Sequence, residues 1–106
     1  MSRLTFKINQ ILIEINQYTQ LLNLARINEE KACDMFYDDK YHIDIYEDED
    51  ACVDGWDEFR YSKAKSFIKS DLKYYQRCIS KRMKIEKELR LLLVRLNKLQ
   101  SKINQL

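Results

Sequence analysis

Ile85, Leu89, Leu92, Leu96, Leu99, Ile103 and Leu106 succeed one another at spacings of four and three residues without a gap. That alternation places every one of them on a single seam of an α-helix. Three heptads of it mark a helix that packs lengthwise on another helix. Alone, such a helix leaves its seam in water. The rest of the chain must therefore be read for where the covering surface comes from.

The first candidate is the opening segment. Leu4, Ile8, Ile11, Ile15, Tyr18, Leu22 and Ala25 repeat the same spacing, and Leu12, Leu21 and Leu24 widen the stripe. The pattern predicts a helix from about residue 3 to residue 36, capped at its start by Ser2 or Thr5. The chain contains no Pro and a single glycine, Gly55. Almost nothing therefore interrupts a helix once it has formed.

From Phe36 onward the pattern changes. Tyr41, Ile43 and Ile45 alternate with His42, Asp44 and Tyr46, a period of two that favours a strand. Glu47-Asp48-Glu49-Asp50 separates this run from Ala51-Cys52-Val53. The expectation is an acidic insert over about residues 37–55, either a short β-hairpin or an ordered acidic loop. Asp54 is placed to cap a second long helix running from about residue 56 to residue 105. Within that helix Ile68, Leu72, Tyr75 and Ile79 form a first seam, out of phase by three residues with the one that starts at Ile85. A break of register is expected between Ile79 and Ile85.

The fold expected is all-α and a single domain of residues 1–106. Two long helices form an antiparallel hairpin or coiled coil around the acidic insert. At about 1.5 Å per residue, helices over 4–36 and 57–106 are roughly 50 Å and 75 Å long, so the first covers the second only as far as about Leu92. The remainder of the seam would overhang. Pairing with a second copy is the simplest way to cover it, which makes Leu92, Leu96, Leu99, Ile103 and Leu106 the expected dimerisation residues of a helical bundle.

Charge is sharply partitioned behind a net +2. Residues 1–32 carry +1. Residues 33–59 carry eleven acids against Lys40, a balance of −10, and residues 60–106 carry fourteen Lys and Arg against Asp71, Glu86 and Glu88, a balance of +11. Two blocks of opposite sign either meet each other or meet different partners. The acidic block is interleaved with Tyr37, Tyr41, Tyr46, Trp56 and Phe59, which a purely solvating segment would lack. Asp44, Glu47, Asp48, Glu49, Asp50, Asp54, Trp56 and Asp57 are therefore the expected partner-binding residues, presenting a phosphate-like array to a basic protein. In the basic block, Lys65, Lys69, Lys73, Arg77 and Lys81 step by four with tyrosines between them. They are the alternative, a surface tracking nucleic-acid phosphates.

Catalytic and metal chemistry find no support. Asp50-x-Cys52-x-Asp54-Gly55 followed by Glu58 has the outline of a calcium loop, but Cys at the third place and Tyr61 at the twelfth remove two ligands. His42 is the only histidine and has no nucleophile beside it, so it reads as a surface strand residue. Cys33, Cys52 and Cys78 are odd in number and not at zinc spacing, and they read as small apolar fillers of an intracellular chain. One glycine cannot build a phosphate-cradling loop. No cofactor is expected.

No apolar run approaches the roughly 18–20 residues that cross a bilayer, and the first residues lack the pattern of a secretion signal. The expected setting is the cytoplasm, with no membrane partner. In size and in its Lys-, Ile- and Asn-rich composition the chain is similar to many small phage-encoded inhibitors of bacterial enzymes, a likeness carried by no motif. The function expected is that of a non-enzymatic binding protein, an inhibitor or adaptor that engages a larger, nucleic-acid-handling protein.

Overall fold

The computed structural model describes residues 2–48 and 55–105, and for residues 55–57 the backbone alone. Its two elements are α1, Arg3–Glu47, and α2, Gly55–Asn104. The two helices pack against each other as an antiparallel hairpin: the chain up to Arg26 pairs with the chain from Lys81 onward, and residues 27–80 form a second compact unit.

Helix α1 begins where its sequence caps it. The Thr5 amide donates to Ser2 Oγ at 3.1 Å and the Phe6 amide to the Ser2 carbonyl at 3.0 Å. Ser2 thereby satisfies amides that the first turn would otherwise leave without partners. The helix does not stop at residue 36 but runs on to Glu47, where the Asp48 amide closes a tighter turn on the Ile45 carbonyl at 3.3 Å. The β-like reading of residues 41–46 is therefore corrected. Those residues are helical, and the acidic block begins inside α1. Ala51-Cys52-Val53, the second expected strand, lies outside the described residues.

The reason is visible in the seam. After Ala25 the four–three spacing continues through Glu29, Ala32, Phe36, Asp39, Ile43 and Tyr46, all of them buried or half-buried. Phe36 meets Tyr75 at 6.3 Å between ring centroids, and Tyr46 stacks on Tyr61 at 4.1 Å. Aromatic pairs of this kind add about 0.5–1.5 kcal/mol to the area they bury. Packing against α2 thus overrides the strand propensity of a six-residue run.

Helix α2 corrects a second expectation. One series of its buried and half-buried positions, Tyr61, Ala64, Ile68, Asp71, Tyr75, Cys78, Arg82, Ile85, Leu89, Leu92, Leu96, Leu99 and Ile103, alternates three and four throughout, with Arg60, Ile79 and Glu86 half-buried beside it. The register break expected between Ile79 and Ile85 is absent. Asp71 and Arg82 occupy seam positions, whereas Leu72, assigned to the seam from its hydrophobicity, is 38% exposed.

In the unit made of the chain's two ends, Leu22, Ala25 and Ile85 form the core, with Tyr18 and Leu89 packed against them. Glu86 lies 3.6 Å from Arg26 across the pair and accepts a hydrogen bond from Arg82 at 3.1 Å. The unit of residues 27–80 closes on small side chains, Ala32, Ala64 and Cys78, which let the two backbones approach.

The overhang on which dimerisation through the last heptads was reasoned is absent. The helices have 45 and 50 residues, a difference of only about 8 Å in length. Within the single chain Leu92 is 5% exposed, and Leu96, Leu99 and Ile103 are half-buried. Leu106 lies outside the described residues.

Candidate interaction surface

The C-terminal third of α1 carries most of the described acidic block, with Asp48 just past its end and Glu58 on α2, and divides its own acids between three faces. On the inner face the acid is Asp39, opposite Asp71 of α2. Asp71 is 8% exposed, and its Oδ2 is buried with no hydrogen-bond donor near it. Two ionised carboxylates cannot bond to each other, because each only accepts. A shared proton resolves this: burial, the hydrogen bond to Asp71 and the charge of Asp71 push Asp39 up to about 6, against a smaller opposing pull from Arg60. The pair lies at the bottom of an open groove of about 300 Å³ walled by Met35, Phe67, Arg60 and Lys63. With no nucleophile beside it, the pair can hold and release a proton.

On the flanks the acids pair with α2. Arg60 donates to Asp38 through Nη2 at 2.7 Å, and His42 Nε2 lies 3.6 Å from the other Asp38 oxygen. His42 is thus a half-buried helix residue rather than a surface strand residue. The Tyr61 hydroxyl donates to Glu47 at 2.8 Å, and Lys65 Nζ sits 3.8 Å from the same carboxylate and 5.1 Å from the Tyr61 ring centroid. Tyr61 and then Glu47 hold the Lys65 ammonium above its ordinary value. Acidic and basic blocks therefore do meet, through the pairs that Asp38 and Glu47 make with α2.

The outer face carries Asp34 and Asp44. Asp34, Tyr37, Tyr41 and Asp44 recur at steps of three and four and are all exposed. They form a straight stripe on the side of α1 that faces away from α2. Tyr37 is held by an edge contact with Phe36 at 5.2 Å, and Lys40 Nζ lies 6.0 Å from its ring centroid. Tyr41 rests edge-on against His42 at 5.5 Å.

Of the expected partner-binding residues, Asp44 falls on this stripe, Asp48 lies just past the end of α1, and Glu47 is engaged by α2. Glu49, Asp50 and Asp54 lie outside the described residues, as do the side chains of Trp56 and Asp57. In the sequence Tyr37 and Tyr41 stand among the aromatics of the acidic block and Asp34 among its eleven acids, without being aligned. Their three–four spacing was the available signal, and the β-like reading of residues 41–46 hid it.

Lys65, Lys69, Lys73, Arg77 and Lys81 are all exposed on α2. They do not form a straight line. A step of four residues overshoots a 3.6-residue turn by about 40°, so from Lys65 to Arg77 the row winds by roughly 120° around the helix. Its first member is already engaged with Glu47. Among the described residues no three His, Cys, Asp or Glu are grouped to hold a metal ion, and no helix is long and apolar enough to cross a membrane. Comparison with protein-family models, with curated proteins and with solved structures finds no match.

Proposed function

We propose that the chain is a non-enzymatic interaction module of the cytoplasm, a small inhibitor or adaptor. Its acidic face binds a basic surface on a larger, nucleic-acid-handling protein. One observation carries this reading: exposed tyrosines and carboxylates share a single outer stripe, Asp34-Tyr37-Tyr41-Asp44, away from the contact with α2. Tyrosine supplies contact area at low entropic cost, and flanking carboxylates steer a cationic partner toward it. The acids that follow the stripe in sequence, Glu49, Asp50, Asp54 and Asp57, extend the same charge. The four–three seams support coiled-coil packing of the hairpin beneath.

The test compares the unmodified chain with Tyr37→Ala, Tyr41→Ala, Asp34→Asn and Asp44→Asn combined, each carrying an affinity tag, in quantitative pull-downs from the native host. The expected result is a captured protein that the variant loses while its circular dichroism is unchanged. Equal capture by both would remove the stripe from the function.

A second reading, nucleic-acid binding by α2, rests on Lys69, Lys73, Arg77 and Lys81, which are exposed and have no acid partner among the described residues. It requires affinity for DNA or RNA whose logarithm falls with log salt by about 0.7–0.9 per phosphate contact. Sub-micromolar binding near physiological salt, lost on reversing those four charges, would put this reading first.

A further inference from the structure

Within the unit of residues 27–80, the Asp39–Asp71 pair closes the bottom of an open groove. Asp71 is 8% exposed, and its Oδ2 is buried without a hydrogen-bond donor. A buried acceptor without a donor is costly, the more so when it is charged. The proton shared with Asp39 offsets this only in part, because it joins two oxygens and the pair has four. At a seam position of α2 an apolar side chain would pack as well and leave no orphan. Asp71 therefore adds something that the hairpin itself does not use.

The charges around the groove show what it lacks. Asp38 is paired with Arg60 at 2.7 Å. Asp39 and Asp71 then stand against Lys63, an excess of one negative charge once the shared proton has left. No group of three acids among the described residues is arranged to hold a metal ion. The walls include Met35 and Phe67, 46% and 51% exposed. An aliphatic stem can lie along Met35, and a flat cation can stack on the Phe67 ring. An ammonium is compact and strongly hydrated, whereas a guanidinium is planar, less hydrated and carries five N–H donors in a fork. The second matches a donor-poor carboxylate pair beside an aromatic ring.

We infer that this groove receives the guanidinium of an arginine side chain on a partner protein, with its N–H groups on Asp39 and Asp71 and its face on Phe67. The inference rests on the reading of the chain as a binder of basic proteins, and it gives that reading an anchor. The last torsion of an aspartate is broad, so rotation of the Asp71 carboxyl exchanges its oxygens and brings Oδ2 to the incoming donors. The arginine takes the place of the shared proton, which leaves as it binds. With Asp39 titrating at about 6, some nine-tenths of the chains hold that proton at pH 5 and few do at pH 7.5, so affinity rises about tenfold between them. The charged groups facing the pair are Asp38 from α1 and Arg60 and Lys63 from α2. His42 lies 3.6 Å from Asp38, and imidazole also changes charge between about pH 5 and 8.

The test titrates the blocked peptide acetyl-Gly-Arg-Gly-amide into the full chain at constant ionic strength, followed by NMR of the Met35 methyl and the Phe67 ring. Saturable shifts are expected at both, about tenfold tighter at pH 7.5 than at pH 5, with His42→Gln keeping that ratio. Asp71→Asn should weaken binding at least tenfold at pH 7.5. Phe67→Ala, at an exposed position, should weaken it several-fold without moving the melt. The same peptide with norleucine in place of arginine should produce no shifts. The combined stripe variant keeps this groove and should bind the peptide as wild type does, so the peptide tests the groove while the pull-down tests the stripe. Absence of saturable binding at pH 7.5, equal affinity at the two pH values, unchanged affinity in Asp71→Asn, or free arginine binding more tightly than the peptide would overturn the inference.

Discussion

Asp71→Asn changes one atom of the seam, and its effect can be worked from the structure. Asp39 rises from 3.8 to about 6 because burial and the facing Asp71 disfavour its charge. For an acid raised on folding, the native state keeps a proton that the unfolded chain releases. Its stabilising effect is complete below pH 3.8 and is lost as pH climbs through about 6. A shift of about two pK units corresponds to roughly 3 kcal/mol. Solvent screening of a half-buried carboxyl, with Arg60 beside it, reduces this to about 1–2 kcal/mol. At pH 7.5 the wild-type chain therefore carries two facing carboxylates and is weaker by that amount.

Asparagine at position 71 supplies an N–H donor in place of the missing proton and removes the like charge. The expected result at pH 7.5 is a gain of about 1–2 kcal/mol, or about 5–10 °C in Tm for a domain of this size. Thermal melts followed by circular dichroism at pH 4.5, 6 and 7.5, at one low concentration, check this. The difference between variant and wild type should be smallest at the lowest pH and grow with rising pH, which cancels groups the two chains share. A variant that melts below wild type at pH 7.5, or a difference independent of pH, would refute the shared-proton account.

Leu92→Ala should cost about 2–3 kcal/mol, since its side chain is buried between the helices, whereas Leu72→Ala should cost less than about 1 kcal/mol because Leu72 is exposed. Chemical denaturation of both variants tests the unbroken register of α2, and similar costs would speak against it. Tyr61→Ala removes the stack on Tyr46 and the hydrogen bond to Glu47, so amide exchange over residues 43–47 should accelerate while that of residues 8–22 stays constant. Tyr61→Phe, which keeps the stack, should show only a small part of that acceleration. Ser2→Ala should lower stability by about 1 kcal/mol or less, with fraying confined to the first turn and visible in the exchange of the Thr5 and Phe6 amides.

The seams Leu4–Ala25 and Ile85–Ile103, the absence of helix breakers and the partition of charge are properties of the sequence, and together they determine an all-helical chain whose helices pair lengthwise. Periodicity suffices there because every seam position is apolar or Tyr, so one helix reports its own buried face without reference to its neighbour. Over residues 36–46 and 68–82 it does not suffice. Asp39, Asp71 and Arg82 stand at seam positions, and hydrophobicity alone shifts the apparent seam onto apolar neighbours such as Leu72 or reads Tyr41, Ile43 and Ile45 as a strand. What places these residues is their partner on the other helix: the carboxyl of Asp71 for Asp39, the ring of Tyr61 for Tyr46, the ring of Tyr75 for Phe36. Such cross-helix contacts have no signature in local spacing, so the length of α1, and with it the acid–tyrosine stripe, was decided only when the two helices met.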